Sequence, residues 1–340
     1  MSTSLALLLA AQGGGGAGAI RQYEITRTSR TIKAALDGFA DILLIGGSAS
    51  GGAVFNGFVG GSGAPGVCIK RVKVAAGQEY VVTIGAGGTA VTRSTAGATP
   101  GNVGGASTLT GPGGLSMIAN SGQPGEAKTT KPANGGAGGT ASGGDVNSQG
   151  GYGGSVIATS SLYAAAGAGA CNLKRLDSAT EIRGGNINST AAQVTSGGAG
   201  VGGNGSSVTG GVTMAVPGGG GYGGPAPDNI PGVAGPNALG EPVQNSPVTL
   251  LVPLASQWCL DFFGGGGGTV GGNAGPGGGG GGRIGATPSA AGIFGGLGGL
   301  SYGTEPALRG NVGAGGANAH SATCTSGAGD VGLCVFIIRG

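Results

Sequence analysis

Glycine-rich runs dominate this chain and limit what it can fold into. They fall at residues 135–139, 150–154 around Tyr152, 197–205, 218–224 around Tyr222, 264–268, 277–282 and 292–299. Glycine loses more conformational freedom on folding than any other residue, and in a helix interior it costs about 1 kcal/mol relative to alanine. An α-helical fold is excluded for most of the chain. Collagen is excluded too, because its triple helix needs glycine at every third position without a break and abundant proline. This sequence has irregular glycine spacing and only 16 prolines.

Disorder does not follow either. Glycine supplies 88 of 340 residues, and with proline this reaches the composition at which low complexity is the default expectation. Disordered chains, however, are rich in charge and poor in hydrophobic residues. Here 9% of residues are charged, 39% are hydrophobic and the net charge is +3. Mean hydropathy is positive. Such a chain associates instead of staying solvated.

A period of three appears locally, at Gly197, Gly200 and Gly203 and again at Gly292, Gly295 and Gly298. A polyproline-II spiral has three residues per turn and a rise of about 3.1 Å per residue, so these glycines line one face. A single spiral has no internal hydrogen bonds. Several spirals without Cβ atoms approach closely enough for each N–H to meet a neighbour's C=O, with Cα–H···O contacts in support. Buried backbone groups must be paired, so the expectation is a polyglycine-II bundle of parallel and antiparallel spirals.

The two ends of the chain read as strands. Residues 21–27 alternate, residues 41–45 form a continuous β-prone run ending in Gly46-Gly47, and residues 331–339 are the most apolar strand. Residues 67–74 and 79–84, joined by 75–78, are expected to form a β-hairpin, the first carrying charge on both faces near a sheet edge. Short strands are expected at 107–109 and 115–119. The fold class is all-β plus polyglycine-II: a small antiparallel β-sandwich closed by the C-terminal strand, a glycine-rich bundle, and almost no α-helix. The more varied segments 155–190 and 225–263 join the spirals, and such loops gather at the bundle ends.

Residues that carry chemistry are sparse. There is one histidine, His320, with Cys324 four residues on, and that pair reads as a surface turn in preference to a nucleophilic couple. The five cysteines, at 68, 171, 259, 324 and 334, contain no C-x-x-C and read mostly as reduced, buried side chains. No tetrahedral metal spacing is present. Residues 198–203 and 200–205 match G-x-G-x-x-G, but neither follows an apolar strand nor opens a helix, and no lysine follows a glycine as a phosphate-binding loop requires. No catalytic residue, cofactor, metal or nucleic-acid partner is expected. The longest apolar stretch, 247–263, is broken by Pro253, Gln257 and Asp261, short of a membrane helix. The run at 5–11 resembles a leader's apolar core but lacks a preceding Lys or Arg.

The series Asp41-Ile42-Leu43-Leu44-Ile45-Gly46-Gly47, then residues 64–67, 72–88 and 104–108, and finally 329–339, resembles the glycine-rich domain of bacteriophage and prophage tail-fibre proteins. The stretch 75–88 and the terminal strand are its specific parts, and Ser48-Ala49-Ser50 departs from it where that family continues in glycine. The resemblance covers residues 31–340 and implies a non-enzymatic virion structural protein, a tail-fibre or tail-tip component that presents host-receptor-binding loops on a polyglycine bundle. It implies 31–120 as a β-sandwich with the first glycine-rich turns, 121–328 as the bundle with inserted loops, and 329–340 as the strand completing the sandwich; residues 1–30, which depart from the family, read from their apolar run, glycine stretch and alternating segment as a virion attachment arm. Implied partners are other tail proteins, a host cell-surface glycan or outer-membrane protein, and further copies in a homotrimer. The implied location is the virion tail, assembled in the host cytoplasm. A capsid decoration or collar component is the alternative, and an ice-binding layer a distant third.

Aromatic side chains beside glycine runs serve as rod caps or as stacking faces for a receptor. The receptor-binding candidates are Tyr152, Tyr163, Lys174, Arg175, Tyr222, Trp258, Phe262 and Tyr302. Trp258 leads, and Phe263, Asp177, Glu181 and Arg183 accompany them.

Overall fold

A computed structural model describes residues 20–159, 163–170, 182–189, 193–196, 198–199, 204–205, 207–210, 214–215, 283–284, 300–301, 319–320 and 324–339. Among these residues there is no α-helix, only one 3-10 turn at Pro112–Gly114, and no helix long and apolar enough to cross a membrane. The described fold is nearly all β, with several antiparallel sheets, and no sheet closes into a barrel.

Two five-stranded antiparallel sheets form one end of the molecule. The first runs in the order Ile20–Thr26, Leu333–Arg339, Gly38–Ile45, Val67–Val74, Val146–Ser148. The second runs Ala141–Ser142, Leu115–Ala119, Ser107–Gly111, Glu79–Thr83, Arg30–Lys33. Side chains alternate along a strand, and one face of each sheet feeds a shared core. Ala40, Ile42, Leu44, Phe336 and Ile338 come from the first sheet, and Ile32, Tyr80, Val82, Leu109 and Met117 from the second. Tyr80 and Phe336 meet with ring centroids 5.1 Å apart. The second sheet's other face is largely exposed and mostly polar, as at Thr31, Glu79 and Thr83 with Val81 between them, so its strands alternate in burial. In the first sheet the opposite face is also buried, through Leu43, Ile45, Ile69, Val335 and Ile337. That double burial is why 41–45 and 333–338 read as continuous apolar runs.

The hairpin expected between 67–74 and 79–84 is not formed. Val67–Val74 pairs with Gly38–Ile45 and Val146–Ser148, whereas Glu79–Thr83 pairs with Arg30–Lys33 and Ser107–Gly111. The connection at 75–78 crosses between the sheets, held by Gly77 N–H to Ala34 O at 2.7 Å and Ala34 N–H to Gln78 O at 2.8 Å. The crossing lets Cys68 and Val74 meet Tyr80 and Val82 across the core. A hairpin would have put all four in one sheet.

From these sheets the chain repeatedly departs along a glycine-rich segment, turns and returns. Residues 46–52 lead from Gly38–Ile45 to the short strand Ala53–Phe55. After Asn56, Gly57–Val59 and residues 60–66 lead back into Val67–Val74. Two further excursions run through Thr92–Arg93 and Gly97–Thr99, and through Ala127–Lys128. The outlying short strands pair with one another: Ala53–Phe55 with Gly97–Thr99, Gly57–Val59 with Ala127–Lys128 and with Tyr163–Ala165, and Thr92–Arg93 with Cys324–Thr325. The long strands thus gather at one end and the turns at the other.

Hydrogen bonds between the glycine-rich segments step by three residues. Gly60, Gly63 and Gly66 donate to Glu126, Gln123 and Asn120, while Gly61 and Ala64 donate to Gly154 and Gly151. Gly136 and Gly139 donate to Gly61 and Ala64, and Gly169 donates to Ser62. Residues 60–66 therefore bond in four directions, whereas a β-strand bonds only to neighbours in one plane. A spiral of three residues per turn has this spacing. Glycine is needed here for proximity, since a Cβ on Gly47, Gly61, Gly63, Gly138 or Gly153 would lie under 3.0 Å from a neighbouring backbone carbonyl. Small residues occupy most of the remaining positions, with Ser48, Ala49, Ser50, Ser62, Ala64 and Ser196 fully buried.

Where the segments pass into their outer strands, polar side chains set the register. Gly135 N–H donates to Ser155 Oγ at 2.9 Å, Ser155 N–H to Asn186 Oδ1 at 2.8 Å, and Asn186 N–H to Ser207 Oγ at 3.1 Å. One residue past Ser155, Asn186 and Ser207, the side chains of Val156, Ile187 and Val208 share one buried cluster with Ala133.

Candidate functional site

The outer turns are the exposed, chemically varied part of the glycine-rich half. Three of them are described together: Asn56, residues 94–96 and residues 129–132, all exposed. They are neighbours because Phe55 pairs with Gly97 and Phe58 with Lys128, on either side of Asn56. Beneath them Val54, Val59 and Ala127 are buried together, with Ala98 packed on the cluster. Asn56 has φ 55°, the left-handed region that asparagine tolerates better than most residues.

Three cations surround these turns. Lys128 Nζ pairs with Glu126 Oε2 at 2.7 Å, and Asn134 N–H donates to the same carboxylate at 2.8 Å. The hydrogen bond from Lys128, and then those from Asn134, hold the Glu126 carboxyl below the usual carboxylate range. Lys131 Nζ lies 5.9 Å from the Phe58 ring centroid, a cation–π distance. Arg93 Nη2 donates to Ala96 O at 2.9 Å, and Arg93 Nε has no acceptor in the structure. Gly97, at φ 132°, leaves room for that guanidinium, because a Cβ there would collide with Arg93 Nη2. Among the described residues no carboxylate pairs with Arg93 or Lys131.

Tyr152, a sequence candidate, lies on the flank of the glycine-rich segments and not in a turn. Its phenol oxygen accepts from Gln149 Nε2 at 3.1 Å, and the Arg183 guanidinium carbon sits 5.2 Å from its ring centroid. Its N–H donates to Ile182 O at 2.8 Å, which fixes the ring beside Arg183. Tyr163 begins the outer strand Tyr163–Ala165 just past residues 160–162, and its side chain is outside the described set. Lys174, Arg175, Tyr222, Trp258, Phe262 and Tyr302 lie outside the described residues, with Phe263, Asp177 and Glu181. The structure therefore brings Tyr152 and Arg183 together. Arg93 and Lys131 were missed because their turns sit among the early glycine segments and carry no aromatic residue. The usable signal was two short polar stretches, Arg93-Ser94-Thr95-Ala96 and Lys128-Thr129-Thr130-Lys131-Pro132, each between glycine-rich runs.

At the opposite end, Asp41 is buried against two guanidinium groups. Arg71 Nε and Nη2 donate to its two oxygens at 2.6 and 2.9 Å, and Arg339 Nε donates at 2.9 Å. The hydrogen bonds to Asp41 push the Arg71 pKa above its ordinary value. This group pins three adjacent strands. Cys68 Sγ points into the core and reaches Ser142 O at 3.2 Å, and Cys324 is buried near Val54 O. Cys68, Cys324 and Cys334 are all buried and in no disulfide. Among the described residues no group of three or more His, Cys, Asp or Glu side chains could hold a metal ion.

Comparison with known proteins found no matching family model and no matching curated protein.

Proposed function

We propose that this chain is a non-enzymatic bacteriophage virion protein, a tail-fibre or tail-tip component that displays host-recognition turns on a rigid polyglycine-II bundle. In this reading the two packed sheets form a sandwich closed by the C-terminal strand, and the chain before the edge strand Ile20–Thr26 attaches it to other tail proteins; the arm expected over 1–30 is shortened because 20–26 pairs with Leu333–Arg339. The observation that carries it is the chain's route. It leaves the two-sheet end along glycine-rich segments several times, and each time turns at the same far end beside the other turns. Backbone bonds stepping by three residues hold those segments in fixed mutual positions. Turns on such a support can vary in sequence without disturbing it, which suits a recognition surface. A homotrimer is the assembly proposed for a fibre.

The test is adsorption of particles carrying altered protein. Replacing residues 94–96 and 129–132 with Gly-Ser sequence, or exchanging 225–263, is expected to reduce host adsorption while particle yield stays normal; segment 155–190, expected from sequence to be a loop, is left intact because its Val156, Ala164, Ala166 and Ile187 are buried. Normal adsorption by all of these particles would instead favour a decoration or collar component.

A further inference from the structure

We propose that the turns around Arg93 and Lys131 bind an anionic glycan, a sugar chain bearing phosphate, sulfate or carboxylate groups. The inference rests on the display reading above and names its ligand class. Of the three cations at these turns, Lys128 is neutralised by Glu126, whereas Arg93 and Lys131 have no carboxylate partner among the described residues. Both are held in place before any ligand arrives. Arg93 is anchored through Nη2 to Ala96 O, in a space that only glycine at 97 allows. Lys131 rests over the Phe58 ring. Pre-positioned cations lose less side-chain freedom on binding than mobile ones.

The surrounding groups favour a sugar over an acidic protein. Ser94, Thr95, Thr129 and Thr130 are exposed around the two cations and offer hydroxyls that both donate and accept. A protein partner would call for an apolar or aromatic anchor near the centre. Among the described residues, the exposed large hydrophobic side chains Phe39, Val81 and Val103 lie outside these turns, and Ile157, next to the Val156 that pairs with Ala133, borders the second turn without any exposed aromatic anchor between the two cations.

The experiment measures binding of the full chain to dextran sulfate, with neutral dextran and poly-glutamate as comparison probes, over a salt series. Dextran sulfate is expected to bind and to weaken as salt rises, since exposed charges are screened. The double variant Arg93→Gln/Lys131→Gln is expected to weaken that binding roughly tenfold, at unchanged thermal stability. Glu126→Gln, which releases Lys128, is expected to tighten it about twofold. Lys33→Gln/Lys73→Gln, at the two-sheet end, should leave it unchanged. Equal loss in both double variants, or no loss in either, overturns the proposal. So does poly-glutamate binding as tightly as dextran sulfate, which would assign the turns to an acidic protein. Cell adsorption separates the two readings. A chain that binds no host surface fails as a display protein, whereas adsorption indifferent to Arg93→Gln/Lys131→Gln and to added dextran sulfate overturns only the glycan.

Discussion

The two halves of this molecule exclude water with opposite materials. Between the sheets, large side chains such as Tyr80, Phe336, Leu109 and Met117 fill the space and the backbone stays at sheet spacing. In the glycine-rich segments the space is filled by backbone with only small Ser and Ala side chains, and a segment such as residues 60–66 is bonded in several directions at once. The first is a core that suffers when atoms are removed. The second suffers when atoms are added, because the atoms in the way belong to a neighbouring backbone that has nowhere to go.

The sharpest way to break that comparison is to add one methyl group. At Gly61 the new Cβ would overlap the Gly167 carbonyl, and at Gly153 it would overlap that of Gly61. Gly61→Ala is expected to cost about 4 kcal/mol or more, among the largest single-residue effects. Gly105→Ala grades the effect, because its nearest neighbour would be Ala86 N at 3.0 Å, and it is expected to cost about 1–3 kcal/mol. Urea denaturation of the soluble variant, and the soluble yield of the other, give the order. If Gly61→Ala is as stable as the parent chain, the close-packed backbone account is wrong.

The mirror experiment subtracts. Phe336→Ala, in the cluster with Tyr80, is expected to cost about 3–5 kcal/mol through lost transfer energy and the cavity left behind. A third change keeps volume nearly constant and removes only a hydrogen bond. Ser107 Oγ accepts from Gly85 N–H at 3.0 Å where the second sheet passes into a glycine segment. Ser107→Ala strands that buried donor and is expected to cost about 1–3 kcal/mol in the same denaturation assay. A cost near zero would mean that water replaces the hydroxyl.

The two halves also differ in how far sequence reveals them. Gly38–Ile45, Ile20–Thr26 and Leu333–Arg339 are legible because side chains record burial: doubly buried strands read as apolar runs, and the edge strand alternates. The partner of Val67–Val74 was not legible, since a hairpin and a crossing between sheets use the same four-residue link, and only the shared core distinguishes them. Glycine hides more. A run such as residues 60–66 announces close approach but does not say which other run lies beside it, because no side chain encodes the pairing. That information sits in the interruptions, as in the series Ser155, Asn186 and Ser207, which are spaced too irregularly to stand out as a repeat. At the candidate site, Tyr152 was legible as an aromatic beside glycine, whereas Arg93 and Lys131 gain meaning only when the route of the chain brings their turns together.

The smallest effect comes from ionisation, and it too divides the halves. Burial pushes the Cys334 thiol up to about 12 and the Cys68 thiol up to about 11, from an ordinary 9.0. Both sit in the core between the sheets, whereas residues 46–52, 60–66 and 134–140 contain no ionisable side chain. Above pH 9.0 the unfolded chain releases the Cys334 proton while the folded chain keeps it until about pH 12. The unfolded state then binds fewer protons, so stability falls with rising pH, by up to about 1.4 kcal/mol per pH unit for one such thiol. Below the unfolded value both states hold the proton and the group has no effect. Unfolding free energies at pH 8, 9, 10 and 10.5 are expected to bend downward near 9, and Cys334→Ala should flatten part of that slope while lowering stability by a pH-independent amount. A slope unchanged in Cys334→Ala and Cys68→Ala would place the alkaline sensitivity outside the core between the sheets, and the contrast in ionisation between the two halves would fail.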